Sequence, residues 1–134
     1  MTNAGRVGIV LVSHSAALAA GTAELAGQVG GGEVIIMAAG GTDDGRLGTS
    51  IDKIRYALAA ADGGAGVVVL PDLGSSVLTV RALLADGTDL PEPFAVADAP
   101  FVEGAVAATI AAAVGGDVKA VASAAEEARH ARKL

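Results

Sequence analysis

Two short stretches hold most of the side chains able to do chemistry: V-S-H-S at positions 12–15 and D-L-G-S-S at positions 72–76. His14 is the only histidine before His130, and the chain has no cysteine. Thiol nucleophiles, zinc knuckles and cysteine redox chemistry are therefore excluded, leaving histidine, serine and carboxylates. A neutral imidazole attacks with the nitrogen that lacks a proton. A carboxylate accepting a hydrogen bond from the other nitrogen fixes the tautomer and stabilises the charge that develops on the ring. Asp72 is suited to that role, and Ser15, Ser75 and Ser76 beside helix starts would receive a dianionic group such as phosphate. Each residue also has a plainer reading. His14 at a strand end can be structural, Asp72 can cap a helix, and Ser13, Ser15, Ser75 and Ser76 can each be a cap or turn residue. Asp43 and Asp44 read as an ordinary turn, and His130 as a solvated helix residue.

Positioning these residues falls to an alternation of short apolar runs and longer segments of helical period, the pattern of an α/β fold with a parallel sheet. Strands are predicted over 6–12, 33–38, 65–71 and, more weakly, 94–98. The first three are near-continuously apolar, as expected of strands covered on both faces. Helical stripes follow: Leu18, Leu25 and Val29 with Gly21 and Thr22; Ile51, Ile54, Leu58 and Ala61; Val77, Val80 and Leu84; and Val102, Val106, Ile110 and Val114 after Pro100. A last helix runs from 117 to about 130. Thr49 and Asp52 read as an acidic capping box opening the second helix. The predicted fold class is an open, mainly parallel four-stranded sheet of order 2-1-3-4 with helices on both faces, one domain over residues 1–134. That order puts the ends of the first and third strands side by side at the switch point, where ligands of such sheets bind. His14 and Asp72 would meet there.

Composition narrows the partners. Fifteen acidic against nine basic residues give a formal charge of −6, and two Phe, one Tyr and no Trp leave almost nothing to stack bases on. A nucleic-acid partner is disfavoured on both counts. The apolar runs break well short of ~18 residues and no signal-peptide pattern is visible, so a cytoplasmic protein without membrane contact is expected. No P-loop, G-x-G-x-x-G, H-E-x-x-H, C-x-x-C or G-x-S-x-G motif is present, and no metal-ligand cluster is seen. What remains is a histidine placed to take up and release a small charged group without a nucleotide site of its own.

Over residues 5–128 the stretches I-V-L-V-S-H-S-A-A-L, A-A-G-G-T-D-D-G, V-V-V-L-P-D-L-G-S-S and A-P-F-V-E-G-A-V-A-A-T resemble, in order, the DhaM family. These are phosphotransferase subunits of dihydroxyacetone kinases that depend on the phosphotransferase system (PTS), and their amino-terminal domain is similar to the IIA domain of mannose-type transporters. The resemblance implies that His14 is the phosphorylated nucleophile and Asp72 the residue orienting its ring. It also places Gly40, Gly41 and Thr42 at the border of the phosphate site, with Ser15, Gly74 and Ser75 as further phosphate contacts. S-H-S and D-L-G-S-S favour the kinase subunit over the sugar transporter. The implied relay runs from phosphoenolpyruvate through enzyme I and HPr to His14, then to ADP held with magnesium in the partner DhaL. The ATP so formed phosphorylates dihydroxyacetone on DhaK. No cofactor of its own and a homodimeric state are expected. With no HPr-like region in these 134 residues, a separate HPr is expected as donor. A crevice with helix N-termini and no lysine would hold the phosphoryl group loosely enough to release it. Two rivals stand beside this reading: a mannose-type IIA domain phosphorylating a sugar-specific IIB, and a non-enzymatic regulatory module in which His14 is structural.

Overall fold

A computed structural model describes residues 5–30, 32–85 and 90–134. Four parallel strands form one sheet of order β2-β1-β3-β4: β1 (Gly8–Ser13), β2 (Ile36–Gly40), β3 (Val67–Pro71) and β4 (Phe94–Val96). The predicted order and class are borne out. Between and after the strands lie α1 (Ala16–Gly30), α2 (Ile51–Ala61), α3 (Gly74–Ala85), α4 (Phe101–Ala113) and α5 (Val118–Glu127), closed by one 3-10 turn (Ala128–His130).

β1 is apolar at almost every position because it is buried on both faces. Ile9 and Leu11, with Val68 and Leu70 of β3, pack under α1, α4 and α5. Val10 and Val12, with Val67 and Val69, pack under α2 and α3. Alternation of side chains along a strand produces these two layers. The paired register places Ser13 beside Gly40 on one side and Val12 beside Pro71 on the other. The next residues, His14 and Asp72, therefore leave the sheet next to each other.

Three sequence expectations are corrected. β2 begins at Ile36 and runs to Gly40, three residues later than its apolar run suggests. It is an edge strand, and its small residues at the far end let it pass close to α1: a Cβ on Gly40 would sit 2.9 Å from the Ala19 Cβ. Of the stripes expected on α1 and α4, Thr22 is buried and Val106 packs against the core, but the other large apolar residues point outward. Ala19, Thr22 and Ala26 are the buried residues of α1, while Leu25 is 46 % exposed. On α4 the buried set is Gly104, Ala105, Ala108, Thr109 and Ala112, with Ile110 also 46 % exposed. Close helix packing needs small residues at the contact, so alanine displaces leucine from the seam. The same inversion is milder on α3, where Val80 is buried as expected but Leu83 replaces Leu84. Finally, α2 is capped by Ser50, whose hydroxyl accepts from the Lys53 N–H. Thr49 instead exchanges a hydrogen bond with Thr79 at 2.9 Å.

The last helix agrees closely with the sequence. Asp117 caps α5 by accepting from the Ala120 N–H at 2.9 Å, and Val118, Val121 and Ala125 turn inward.

Candidate active site

β1 ends at Ser13 and α1 starts at Ala16, so His14 occupies the two-residue bend between a buried strand and a helix N-terminus. Its backbone is held from both sides. The Asp72 N–H donates to the Val12 carbonyl at 2.9 Å, extending the β1–β3 ladder, while the Gly48 N–H donates to the His14 carbonyl at 2.9 Å. The Gly41 N–H donates to the Ser13 carbonyl at 3.1 Å. Gly41 takes a positive φ of 75° there, a conformation open to glycine at no steric cost. The turn after β2 is thus a backbone support for the histidine.

The ring of His14 lies between two groups. Nδ1 is 3.0 Å from Asp72 Oδ1, and Nε2 is 2.7 Å from the Ser75 hydroxyl. Asp72 is saturated. Its Oδ2 accepts from the Ser13 hydroxyl and from the His14 N–H, each at 3.0 Å. Its Oδ1 accepts from the Ser76 hydroxyl at 2.6 Å and the Leu73 N–H at 2.7 Å, besides the imidazole. The carboxylate side chain is only 7 % exposed, the imidazole 27 %. Burial by itself pushes the Asp72 carboxyl up. Hydrogen bonds from Ser76, the His14 N–H, Ser13 and the His14 ring overcome that and bring it down to about 2. An ionised acceptor facing Nδ1 favours the Nδ1–H tautomer, which leaves the lone pair on Nε2.

The other predicted residues fall around this pair in different ways. Gly74 opens α3, whose first turn carries Ser75 and Ser76. Ser15 caps α1, its hydroxyl accepting from the Leu18 N–H at 3.1 Å. Gly40 lies against the start of α1, where a Cβ would meet the Ser15 carbonyl oxygen at 2.6 Å. Thr42 binds its own turn: its hydroxyl contacts Asp44 at 2.5 Å and accepts from the Arg46 N–H at 3.0 Å. Asp43 accepts from Ser50, tying that turn to the α2 cap. A lysine does stand at this border, since Lys53 bonds the Gly40 carbonyl at 3.0 Å. His130 sits in the exposed terminal turn.

Two further site residues, Ser13 and Ser76, are fully buried and both bind Asp72. Sequence reasoning left Ser13 as a cap or turn residue and offered Ser76 as either that or a phosphate contact; burial on the carboxylate turns the Ser76 hydroxyl to Asp72 instead. One signal was present: Ser76 follows Asp72 by four residues, the spacing of neighbours on a helical turn. Beside Asp72 opens a cleft of about 440 Å³ lined by Leu73, Gly74, Val77, Arg81 and Asp98. Among the described residues no group of three or more His, Asp or Glu could hold a metal ion, and no helix is long and apolar enough to cross a membrane.

Residues 8–122 match the family described as PTS system fructose IIA component, EIIA-man, and the chain belongs to that family. Within it, the chain is a DhaM-like subunit. It is 36 % identical over 116 residues to the phosphoryl donor subunit DhaM of PEP-dependent dihydroxyacetone kinase 2 of Listeria innocua, covering 86 % of this chain and 93 % of the relative. DhaM of Providencia stuartii is 35 % identical over 131 residues and that of Escherichia coli 35 % over 119. These two are much longer, and the chain spans 28 % and 25 % of them. It is also similar to the solved crystal structure of EF1359, a protein of unknown function, with a TM-score of 0.76 and 34 % identity over 91 % of this chain and 94 % of that one.

Proposed function

We propose that this protein is a phosphohistidine carrier of a PTS-dependent dihydroxyacetone kinase. In this reading it accepts a phosphoryl group from HPr on Nε2 of His14 and passes it to ADP bound in a DhaL subunit. DhaK then receives the benefit as ATP phosphorylates dihydroxyacetone. The observation that carries the reading is the ring itself, with Nδ1 on a buried carboxylate and Nε2 turned to the hydroxyl at the start of α3.

The chemistry follows from those contacts. The Nε2 lone pair attacks phosphorus, the donor's N–P bond breaks, and its electron pair returns to the donor ring. The Nδ1 proton stays on His14, and Asp72 stabilises the positive ring that results. Ser75, bonded to Nε2 at rest, turns to donate to a phosphoryl oxygen, aided by N–H groups at the start of α3. Ser15, Gly40, Gly41, Thr42 and Gly74 border the group. Magnesium and ADP arrive with DhaL, and the protein needs no cofactor of its own. The relay is cytoplasmic, and two copies of the chain pair, a state supported by the exposed apolar faces of α1 and α4. Sedimentation should give twice 12.9 kDa; the single-chain mass would refute the pairing.

Incubating the protein with phosphoenolpyruvate, enzyme I and HPr should add the mass of one phosphoryl group, and His14→Ala should add none. No gain on the wild type sinks the carrier reading and leaves the regulatory module. Discharge by ADP-loaded DhaL, but not by a sugar-specific IIB, separates the kinase subunit from a transporter IIA domain; the reverse pattern overturns the assigned acceptor.

A further inference from the structure

Resting on the carrier reading for its consequence, we propose that Ser76 is a positioning residue, which locks the Asp72 carboxylate in place and so holds His14 in the tautomer with its lone pair on Nε2. Ser76 is fully buried in the first turn of α3, so it contacts no partner protein. A buried hydroxyl is costly unless bonded, and alanine would fill such a place without that cost. The hydroxyl therefore needs a reason, and its hydrogen-bond partners among the described residues are two site atoms: it donates to Asp72 Oδ1 at 2.6 Å and stands 3.3 Å from His14 Nδ1.

Helix capping does not supply the reason. The backbone N–H groups bonded to the Asp72 carboxylate belong to His14 and Leu73, and both lie outside α1 and α3. Asp72 and Ser76 thus serve the bend at His14 rather than the helix ends.

The single hydroxyl proton reinforces the tautomer that Asp72 favours. While it points at Asp72, the Ser76 oxygen can only accept, so Nδ1 faces two acceptors and must carry its proton. The opposite tautomer would set the Nδ1 lone pair against the carboxylate at 3.0 Å, relieved only if Ser76 abandoned Asp72. Ser13 holds the other carboxylate oxygen, 3.0 Å away, and also accepts from the Ser15 N–H at 3.0 Å. Ser76 is the one of the two serines that reaches the ring as well.

Nitrogen-15 NMR of the unphosphorylated protein at mildly alkaline pH tests this without any partner. Wild type should show a protonated Nδ1 and a bare Nε2, and Ser76→Ala a mixture of both tautomers. In the phosphorylation assay Ser76→Ala should lower the maximal rate about tenfold at unchanged KM for HPr, with Ser76→Thr recovering most of it. A wild-type tautomer in Ser76→Ala, or an effect on KM alone, overturns the proposal. Failure of wild type to accept phosphate would overturn the carrier reading instead, and the NMR result would still decide the role of Ser76.

Discussion

Asp72 ties the acid stability of the protein to its site. Its carboxyl is raised by burial but brought down to about 2, from an ordinary 3.8, by the bonds from Ser76, His14 and Ser13. A folded-state value below the unfolded one means stabilisation that is complete above about pH 4 and lost as pH falls through 2. The His14 imidazole faces it on the ring side, and Arg81 and Asp98 are the charged groups across the cleft. Against Asp72→Asn, wild type should be more stable at neutral pH by on the order of 1–2 kcal/mol, screening included. Chemical unfolding at a series of pH values should show that gap close between about pH 4 and pH 2; a constant gap would contradict it. The same substitution should slow phosphorylation of His14 roughly 100-fold without abolishing it. The meeting of His14 and Asp72 could be read in advance, because strand order and right-handed crossovers decide which strand ends adjoin. Ser13 and Ser76 could not, since a serine next to a helix start looks the same whether it caps backbone or braces a carboxylate.

The elements show where patterning misleads. Apolar periodicity located α1 and α4 along the chain but put the wrong side inward, because leucine and valine were weighed above alanine and glycine. The sheet and helices approach too closely for large side chains: a Cβ on Gly30 would come 2.2 Å from Thr109 Cγ2, and one on Gly8 would come 2.1 Å from the Ala61 carbonyl oxygen. At such seams the absence of a side chain is the signal. Gly40→Ala should therefore strain the β2–α1 contact, where the new Cβ would lie 2.6 Å from the Ser15 oxygen and 2.8 Å from Ala16 Cα. A loss of about 2 kcal/mol is expected, together with slower phosphorylation because His14 is the neighbour of that bend; unchanged thermal unfolding would count against close packing there. Ser50→Ala should cost about 1 kcal/mol by removing the α2 cap, read in the same melting experiment.

Taken whole, the molecule delivers two helix N-termini, a strand end and a supporting turn to one edge of the sheet. Exposed leucines stand beside the histidine and its orienting aspartate: Leu73 follows Asp72 directly and is 62 % exposed, and Leu47, in the turn after β2, precedes the glycine that holds the His14 carbonyl. Protein partners docking over His14 would cover them. Leu73→Asp should raise the KM for HPr about tenfold with the maximal rate and the His14 tautomer preserved; a loss confined to the maximal rate would place Leu73 elsewhere in the process. Overall architecture was readable from residue order because it follows from chain connectivity. The outward surface was not, since nothing in a sequence marks which apolar face is left over.

The carboxylate that accepts five hydrogen bonds has one more consequence, in proton stoichiometry. Every donor is already in place before phosphate arrives, and a carboxyl with a value of about 2 does not take a proton from the ring near neutrality. Asp72 should thus stay ionised while His14 gains and loses its phosphoryl group. Carbon-13 NMR of the Asp72 carboxyl near neutral pH, taken before and after phosphorylation, should show an ionised group both times; a protonated signal in either state would contradict it.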